Sequence, residues 1–234
     1  MNQEKIWLEF WEEHNKKFLS SDITPKEYHL DLKNIINDYK DKRKIIEIGC
    51  GTGITSLLLD DDFDKTLLDC DINAIDLAKT LFKKADKQAQ FINTDMFETN
   101  INSKTYDIVF NSGVIEHFNY AERVKAIKEY KRILIDNGFI ILAFPNHYCI
   151  PYRVGYLIAN LFNKWPYPKE YKLCNMAKEL KECNLMLEKR LIIADNMLAE
   201  SLNFNKILKN IFCFFNKLFK FEGYLTVLII KNEV

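Results

Sequence analysis

Gly49, Gly51 and Gly53 are three of only 7 glycines in 234 residues. They stand in the run Glu47-Ile48-Gly49-Cys50-Gly51-Thr52-Gly53, directly after a short apolar stretch and directly before a helical pattern. Residues without side chains let such a loop turn tightly and let ligand atoms lie against the backbone, while the following helix offers its unpaired N–H groups. The spacing is Gly-x-Gly-x-Gly, and Ile54 holds the position that would complete Gly-x-Gly-x-x-Gly. A dinucleotide pyrophosphate is thereby disfavoured, and the lysine and serine or threonine of a phosphate-binding P-loop are absent. Asp71 lies 20 residues after Gly51, where a carboxylate accepts both ribose hydroxyls of a nucleoside, with Ile72 beside it to cover a base. Asp95 follows a third strand, in place to accept a hydrogen bond from an adenine amino group. Each acid alone reads more often as a turn or cap residue than as a ligand contact. Their occurrence at successive strand ends is what argues for a nucleoside site.

The elements that must position these residues follow from periodicity. Residues 2–19 carry a helical pattern through Trp7, Leu8, Phe10, Trp11 and Phe18, and a second helix to about Tyr39 opens on Thr24-Pro25-Lys26-Glu27, a capping box with proline at its first helical position. Strands are expected at Lys44–Ile48, Thr66–Cys70, Gln90–Asn93, Tyr106–Phe110 and Phe139–Phe144, and helices at Ile54–Leu59, Ala74–Ala85 and from Asn119 to Leu134, the last stopped by Asn137-Gly138. A helix at about 174–184, a strand at about 187–194, a helix near 200–220 and a strand at Tyr224–Ile230 complete the chain. Strands alternating with helices at this spacing predict a doubly wound, mostly parallel α/β sheet. Four of the 5 prolines fall between 145 and 168, marking a segment that leaves the regular scaffold.

Lysine plus arginine (33) balances aspartate plus glutamate (33), which argues against a protein held to nucleic acid by bulk positive charge. The longest apolar run, Phe139 to Phe144, is far short of the ~20 residues of a membrane span. The N-terminal residues lack a signal peptide's apolar core, and 6 scattered cysteines without a Cys-x-x-Cys pair read as reduced thiols, so a cytoplasmic location is expected. The acidic run Asp60-Asp61-Asp62 with Asp64 reads as a solvated turn, and Lys125, Lys128 and Lys131 as the solvent face of a helix.

Over about residues 40–146 the chain resembles the class I S-adenosylmethionine-dependent methyltransferases, in the small-molecule branch related to the ubiquinone and menaquinone methyltransferases. The resemblance is carried in order by Glu47-Ile48-Gly49-Cys50-Gly51-Thr52-Gly53, Asp69-Cys70-Asp71-Ile72-Asn73, Thr94-Asp95-Met96, the segment Tyr106-Asp107 to Glu116-His117, and Lys131-Arg132 through Gly138 to Pro145-Asn146. It implies a seven-stranded Rossmann-like sheet of order 3-2-1-4-5-7-6 with the last strand antiparallel. It implies S-adenosylmethionine as cofactor, held by Glu47, Gly49, Cys50, Gly51, Gly53, Asp71, Ile72, Asp95, Met96 and Asn111, and no metal. The expected division is a helical cover (1–40), a cofactor-binding core (41–146), a substrate-region insertion (147–186), and strands with an amphipathic helix completing the same domain (187–234).

Methyl transfer is an in-line displacement, and a general base is needed only where the acceptor must lose a proton. His117, after the fourth strand, is the first candidate; the alternative is that Glu116-His117 fixes the loop before the next helix. His147 is the second candidate, while His14 and His29 read as surface or core-edge residues. Aromatic residues crowd the segment 144–171 (Phe144, Tyr148, Tyr152, Tyr156, Phe162, Trp165, Tyr167, Tyr171), suiting either a pocket for an aromatic, quinone-like or sugar acceptor or a satellite core. Residues 201–221 form an apolar stripe with Lys206, Lys209, Lys217 and Lys220 off it. They read as a helix packed on the sheet or as a basic amphipathic surface touching an anionic membrane. A nicotinamide-dependent oxidoreductase and a catalytically silent cofactor-binding protein are the other function classes weighed.

Overall fold

The computed structural model describes residues 6–7, 10–11, 24–39, 41–197, 202 and 205–233. Seven strands form one sheet: β1 (Lys44–Ile48), β2 (Asp64–Asp69), β3 (Gln90–Asn93), β4 (Tyr106–Ser112), β5 (Leu134–Pro145), β6 (Met186–Ile193) and β7 (Leu225–Lys231). Their order is β3-β2-β1-β4-β5-β7-β6, as expected. The pairs from β3 to β5 are parallel, and β7 lies antiparallel to both β5 and β6. The helices are α1 (Glu27–Asn37), α2 (Ile54–Leu58), α3 (Ile72–Lys84), α4 (Tyr120–Ile133), α5 (Ile150–Leu161), α6 (Ala177–Glu182) and α7 (Lys206–Phe219).

The pleat of the central strands splits the core into two layers. Ile46, Ile48, Val109 and Ile140 pack with Val124, Ile127 and Tyr130 of α4, whereas Ile45, Ile108, Phe110 and Ile141 pack with Leu32 and Ile36 of α1. Helix α4 is fixed at its start by a capping box, Asn119 Oδ1 accepting from Glu122 N–H and Glu122 accepting from Asn119 N–H. A buried Arg123–Glu179 pair ties it to α6, with two guanidinium nitrogens within 2.9 Å of one carboxylate oxygen.

Several boundaries depart from expectation for local reasons. Helix α1 begins at Glu27, after both Thr24 and Pro25, and the N–H of Lys26 donates to His29 Nδ1 at 3.0 Å. Asn137-Gly138 does not stop a helix: the helix ends at Ile133, and Asn137, at φ +59°, lies within β5. There Tyr106 pairs with Leu134 but Ile108 with Phe139, so β5 bulges around it. The proline-rich segment contains a helix, α5, that the pattern does not announce, with Pro151 in its first turn. Lys131 is not a solvent-face residue; its Nζ donates to the carbonyls of Cys183 (3.0 Å) and Asn184 (2.9 Å) at the end of α6. The expected helix over 2–19 lies largely outside the described residues, although Ile6, Trp7, Phe10 and Trp11 are helical.

Candidate active site

At the carboxyl end of β1 the glycine run turns on backbone conformations that residues with side chains rarely adopt. Gly49 and Gly51 have φ of +66° and +50°, and a Cβ built on them would sit 2.6 Å from Val114 Cγ2 and 2.8 Å from the Trp11 ring, respectively. The turn is held from below by Asp69, the last residue of β2. Its Oδ2 accepts the Gly51 N–H at 2.9 Å and its Oδ1 accepts the Asp71 N–H at 3.0 Å. One buried carboxylate thus binds the loop after β1 to the loop after β2. Sequence reasoning assigned Asp69 no role of its own; the signal was a second acid two positions before Asp71 at a strand end. Glu47 is also buried, and its Oε2 accepts both the Oγ–H (2.5 Å) and N–H (3.3 Å) of Ser56 at the start of α2. Burial pushes its pKa up to about 7, partly offset by those hydrogen bonds.

These loops form one lobe of a cavity of about 450 Å³. Glu47, Gly49, Cys50, Gly51, Asp69, Asp95 and Met96 all line it. Among the described lining residues Lys26 is the only lysine or arginine, against five acids: Glu47, Asp69, Asp95, Glu116 and Glu170. Where these carboxyls ionise, such a wall favours a cationic ligand over a pyrophosphate. That charge distribution agrees with the disfavouring of a dinucleotide by Ile54.

The other expected contacts fall just behind or beside this wall. Asp71 is buried at the N-cap of α3, its Oδ1 accepting the Asn73 N–H at 2.8 Å, and neither it nor the exposed Ile72 is among the lining residues. Gly53 packs inward, against Leu67. Asn111 is fully buried and turned into the interior, donating to Tyr130 Oη at 3.1 Å, so it stands behind the cavity wall. Tyr130 in turn reaches Met96 Sδ at 3.6 Å. His147 is likewise absent from the lining and packs edge-on against Tyr148.

The second lobe is assembled from four separated parts of the chain: Tyr28 and His29 of α1, Glu116 and His117 of a 3₁₀ turn (Ile115–His117), Tyr152 with Tyr167 and Glu170, and Tyr224. The Tyr171 N–H donates to the Glu116 carbonyl at 2.7 Å and clasps the 167–171 segment over the turn. Glu170 accepts from Tyr152 Oη (2.6 Å) and from Arg153 (3.0 Å). Glu116 is 3% exposed, and its Oε2 has no hydrogen-bond partner. Burial raises its pKa well above the carboxylate range, with Glu170 adding to the effect.

His117 does reach the cavity, but in a setting that weakens it as a base. It is buried, its Nδ1 lies 3.2 Å from the Lys169 carbonyl, and burial lowers its pKa to about 4. A group that hands back its proton so readily accepts one poorly near neutral pH. The aromatic segment divides between the two expected roles. Tyr152 and Tyr167 face the cavity, Phe144 is core, and Tyr148 and Phe162 are exposed. His29, expected at the surface or the core edge, is buried and lines the cavity. The acidic turn is solvated, with Asp61 bridging Lys65 and Lys87, and no cluster able to hold a metal exists among the described residues.

Comparison with known proteins places these features in context. Residues 46–142 match the family model described as a methyltransferase domain. An uncharacterized protein of Methanocaldococcus jannaschii is 26% identical over 50% of this chain and 48% of its own length. The human eEF1A lysine and N-terminal methyltransferase is 21% identical over 65% of this chain but 22% of its own length. The chain thus spans about half, or less, of the curated relatives it matches. Among solved structures, the magnesium protoporphyrin IX methyltransferase of Synechocystis PCC 6803 with bound SAH superposes with a TM-score of 0.67, covering 99% of this chain and 100% of that one at 13% identity. A SAM-dependent methyltransferase of Archaeoglobus fulgidus gives 0.61 at 15% identity, covering 87% and 92%. At such identities the likeness is one of fold.

Proposed function

We propose that the protein is a class I S-adenosylmethionine-dependent methyltransferase, a reading supported by the methyltransferase-domain match over residues 46–142, and that it methylates a small-molecule acceptor seated in the second lobe. The cofactor supplies a methyl group activated on a sulfonium, which passes to an acceptor lone pair as the carbon–sulfur bond breaks. The residues around it have three tasks. Glu47, at the end of β1, faces the cationic amino-acid end of the cofactor, and its carboxyl, poised at about 7, ionises fully beside a positive charge. Asp71, Asp95 and Met96 hold the nucleoside, with Asp69 fixing the loops on which Gly51 and Asp71 stand. The second lobe orients the acceptor, and positioning of this kind supplies up to roughly 7–11 kcal/mol of barrier reduction.

The observation that carries the reading is the unpartnered, buried Oε2 of Glu116 in a wall that also carries the rings of Tyr28, Tyr152, Tyr167 and Tyr224. Beside a bound sulfonium cation the Glu116 carboxyl would ionise, and its unpartnered oxygen is then placed to take a hydrogen bond, and the proton, from an acceptor hydroxyl or amine. Glu116 and Glu170 together disfavour an anionic acceptor, and the rings of Tyr28, Tyr152, Tyr167 and Tyr224 suit a planar or apolar one. The test is transfer of a labelled methyl group from S-adenosylmethionine to a panel of neutral phenols, quinols, amines and glycosides, with carboxylate-bearing analogues alongside. Turnover confined to neutral members supports the assignment. Label appearing only in protein would instead make the acceptor a polypeptide.

A further inference from the structure

A helix joining two adjacent strands ordinarily turns its apolar stripe onto the sheet. Helix α7 does not. Ile207, Ile211, Phe214 and Leu218 recur at steps of four, three and four, and all four are exposed, Ile207 at 75% and Phe214 and Leu218 at 61%. Phe215 and Phe219 widen the stripe and stack with centroids 6.0 Å apart. The helix is well formed in itself: Asn205 Oδ1 accepts the N–H groups of Ile207 and Leu208, each at 3.1 Å. A second element repeats the arrangement. Helix α5 exposes Ile150, Leu157 and Leu161 at steps of seven and four. The chain just after α7 reaches the start of α5, where Phe221 packs against the cluster of Cys149 and Tyr152.

We propose that α7, with the exposed stripe of α5 beside it, docks the protein on an anionic lipid bilayer. Charge selects this occupant. Residues 201–221 hold Lys206, Lys209, Lys217 and Lys220 and no acid, in a chain whose charges balance overall at 33 each. Lys206 and Lys209 lie off the apolar stripe, so apolar side chains can enter the acyl boundary while the ammonium groups meet lipid phosphates. With 14 residues, α7 lies on a bilayer and does not cross it. Tyr152 and Tyr224 belong both to the cluster that Phe221 joins and to the wall of the second lobe, which brings the acceptor site close to the docked face.

Co-sedimentation of the full chain with phosphatidylcholine–phosphatidylglycerol vesicles tests the proposal. Salt is raised from 0.01 M to 1 M, where the screening length contracts from about 30 Å to about 3 Å. The protein should pellet with these vesicles at low salt, and the pelleted fraction should fall at least about tenfold at high salt or on pure phosphatidylcholine. The pair Lys206→Gln with Lys209→Gln should weaken the salt-sensitive binding. The pair Phe214→Glu with Leu218→Glu should abolish binding while melting temperature and S-adenosylmethionine affinity stay at parental values, because these side chains are exposed. Retention in the supernatant at low salt overturns the proposal, as does pelleting indifferent to both pairs. A melting temperature lowered by the glutamates would show that the stripe packs on the sheet. A dimer broken by the glutamates, with no vesicle binding by the parent, would assign the face to self-association. Cofactor affinity, measured separately, keeps failure here distinct from failure of the methyltransferase assignment.

Discussion

Glu47→Gln should stabilise the cofactor-free protein at pH 8 while weakening its hold on S-adenosylmethionine. Burial raises the Glu47 carboxyl from 4.5 to about 7, a difference equivalent to ~3 kcal/mol. Between those values the folded protein retains a proton that the unfolded chain has released, so stability falls as pH rises through the interval and stays lower above it. Glutamine keeps an oxygen for Ser56 and carries no charge to bury. The variant should therefore match the parent near pH 4.5 and gain steadily to pH 8. At roughly 2–4 °C per kcal/mol for a chain of this size, the gain is readable as a melting-temperature difference. His29 and His117, both lowered from 6.5 to about 4, act in the opposite sense, because their contribution is lost as pH falls from 6.5 towards 4. For that reason the difference between the two proteins, and not either curve alone, isolates Glu47. Calorimetry adds a second reading: near pH 7 the parent should release protons on binding the cationic cofactor, and the variant should not. A melting-temperature difference of constant size from pH 5 to pH 8, or one favouring the parent at pH 8, would refute the reasoning.

Other substitutions separate the remaining roles. Asp71→Ala should weaken S-adenosylmethionine binding by about 1.5–3 kcal/mol through lost charge-assisted hydrogen bonds, and titration calorimetry will read this. It should also cost ~1 kcal/mol of stability in denaturant unfolding, because Asp71 caps α3. Gly51→Ala should destabilise the fold by ~1–3 kcal/mol as well as impair binding, since the new Cβ meets the Trp11 ring at a φ of +50°. Normal binding with unchanged stability would remove the loop from the site. Glu116→Gln should lower kcat by about 10²–10⁴-fold with cofactor affinity unchanged, whereas His117→Gln should cost far less. The reverse ranking in turnover would return the proton-accepting role to His117.

The sheet was legible because it is written in short apolar strands at regular spacing and in a glycine run that only one turn geometry explains. The loops of the candidate site were legible for the same reason, since each lies at the end of a strand. What escaped reading is non-local. Glu116, Tyr152, Glu170 and Tyr224 face one cavity only after β7 inserts between β5 and β6 and the 167–171 segment folds over the 3₁₀ turn. No spacing connects residue 28 with residue 224. His117 illustrates a second limit: its position was right, but its proton affinity depends on burial, which a residue type does not reveal. Asn111 shows the converse, since it sits within a matching motif yet turns its amide inward to Tyr130. The exposed stripe of α7 was visible as a pattern, but the pattern alone is silent on whether the sheet covers it.

A crystal structure of the full chain with S-adenosylmethionine tests the central assignment most directly. The amino-acid end should lie against Glu47 and the glycine loop, the ribose at Asp71, the adenine between Ile72 and Met96, and the methyl group should point towards Glu116. A ligand bound away from the loop after β1, or bound there with its methyl group directed away from the lobe of Glu116, Tyr152 and Tyr224, would contradict the account.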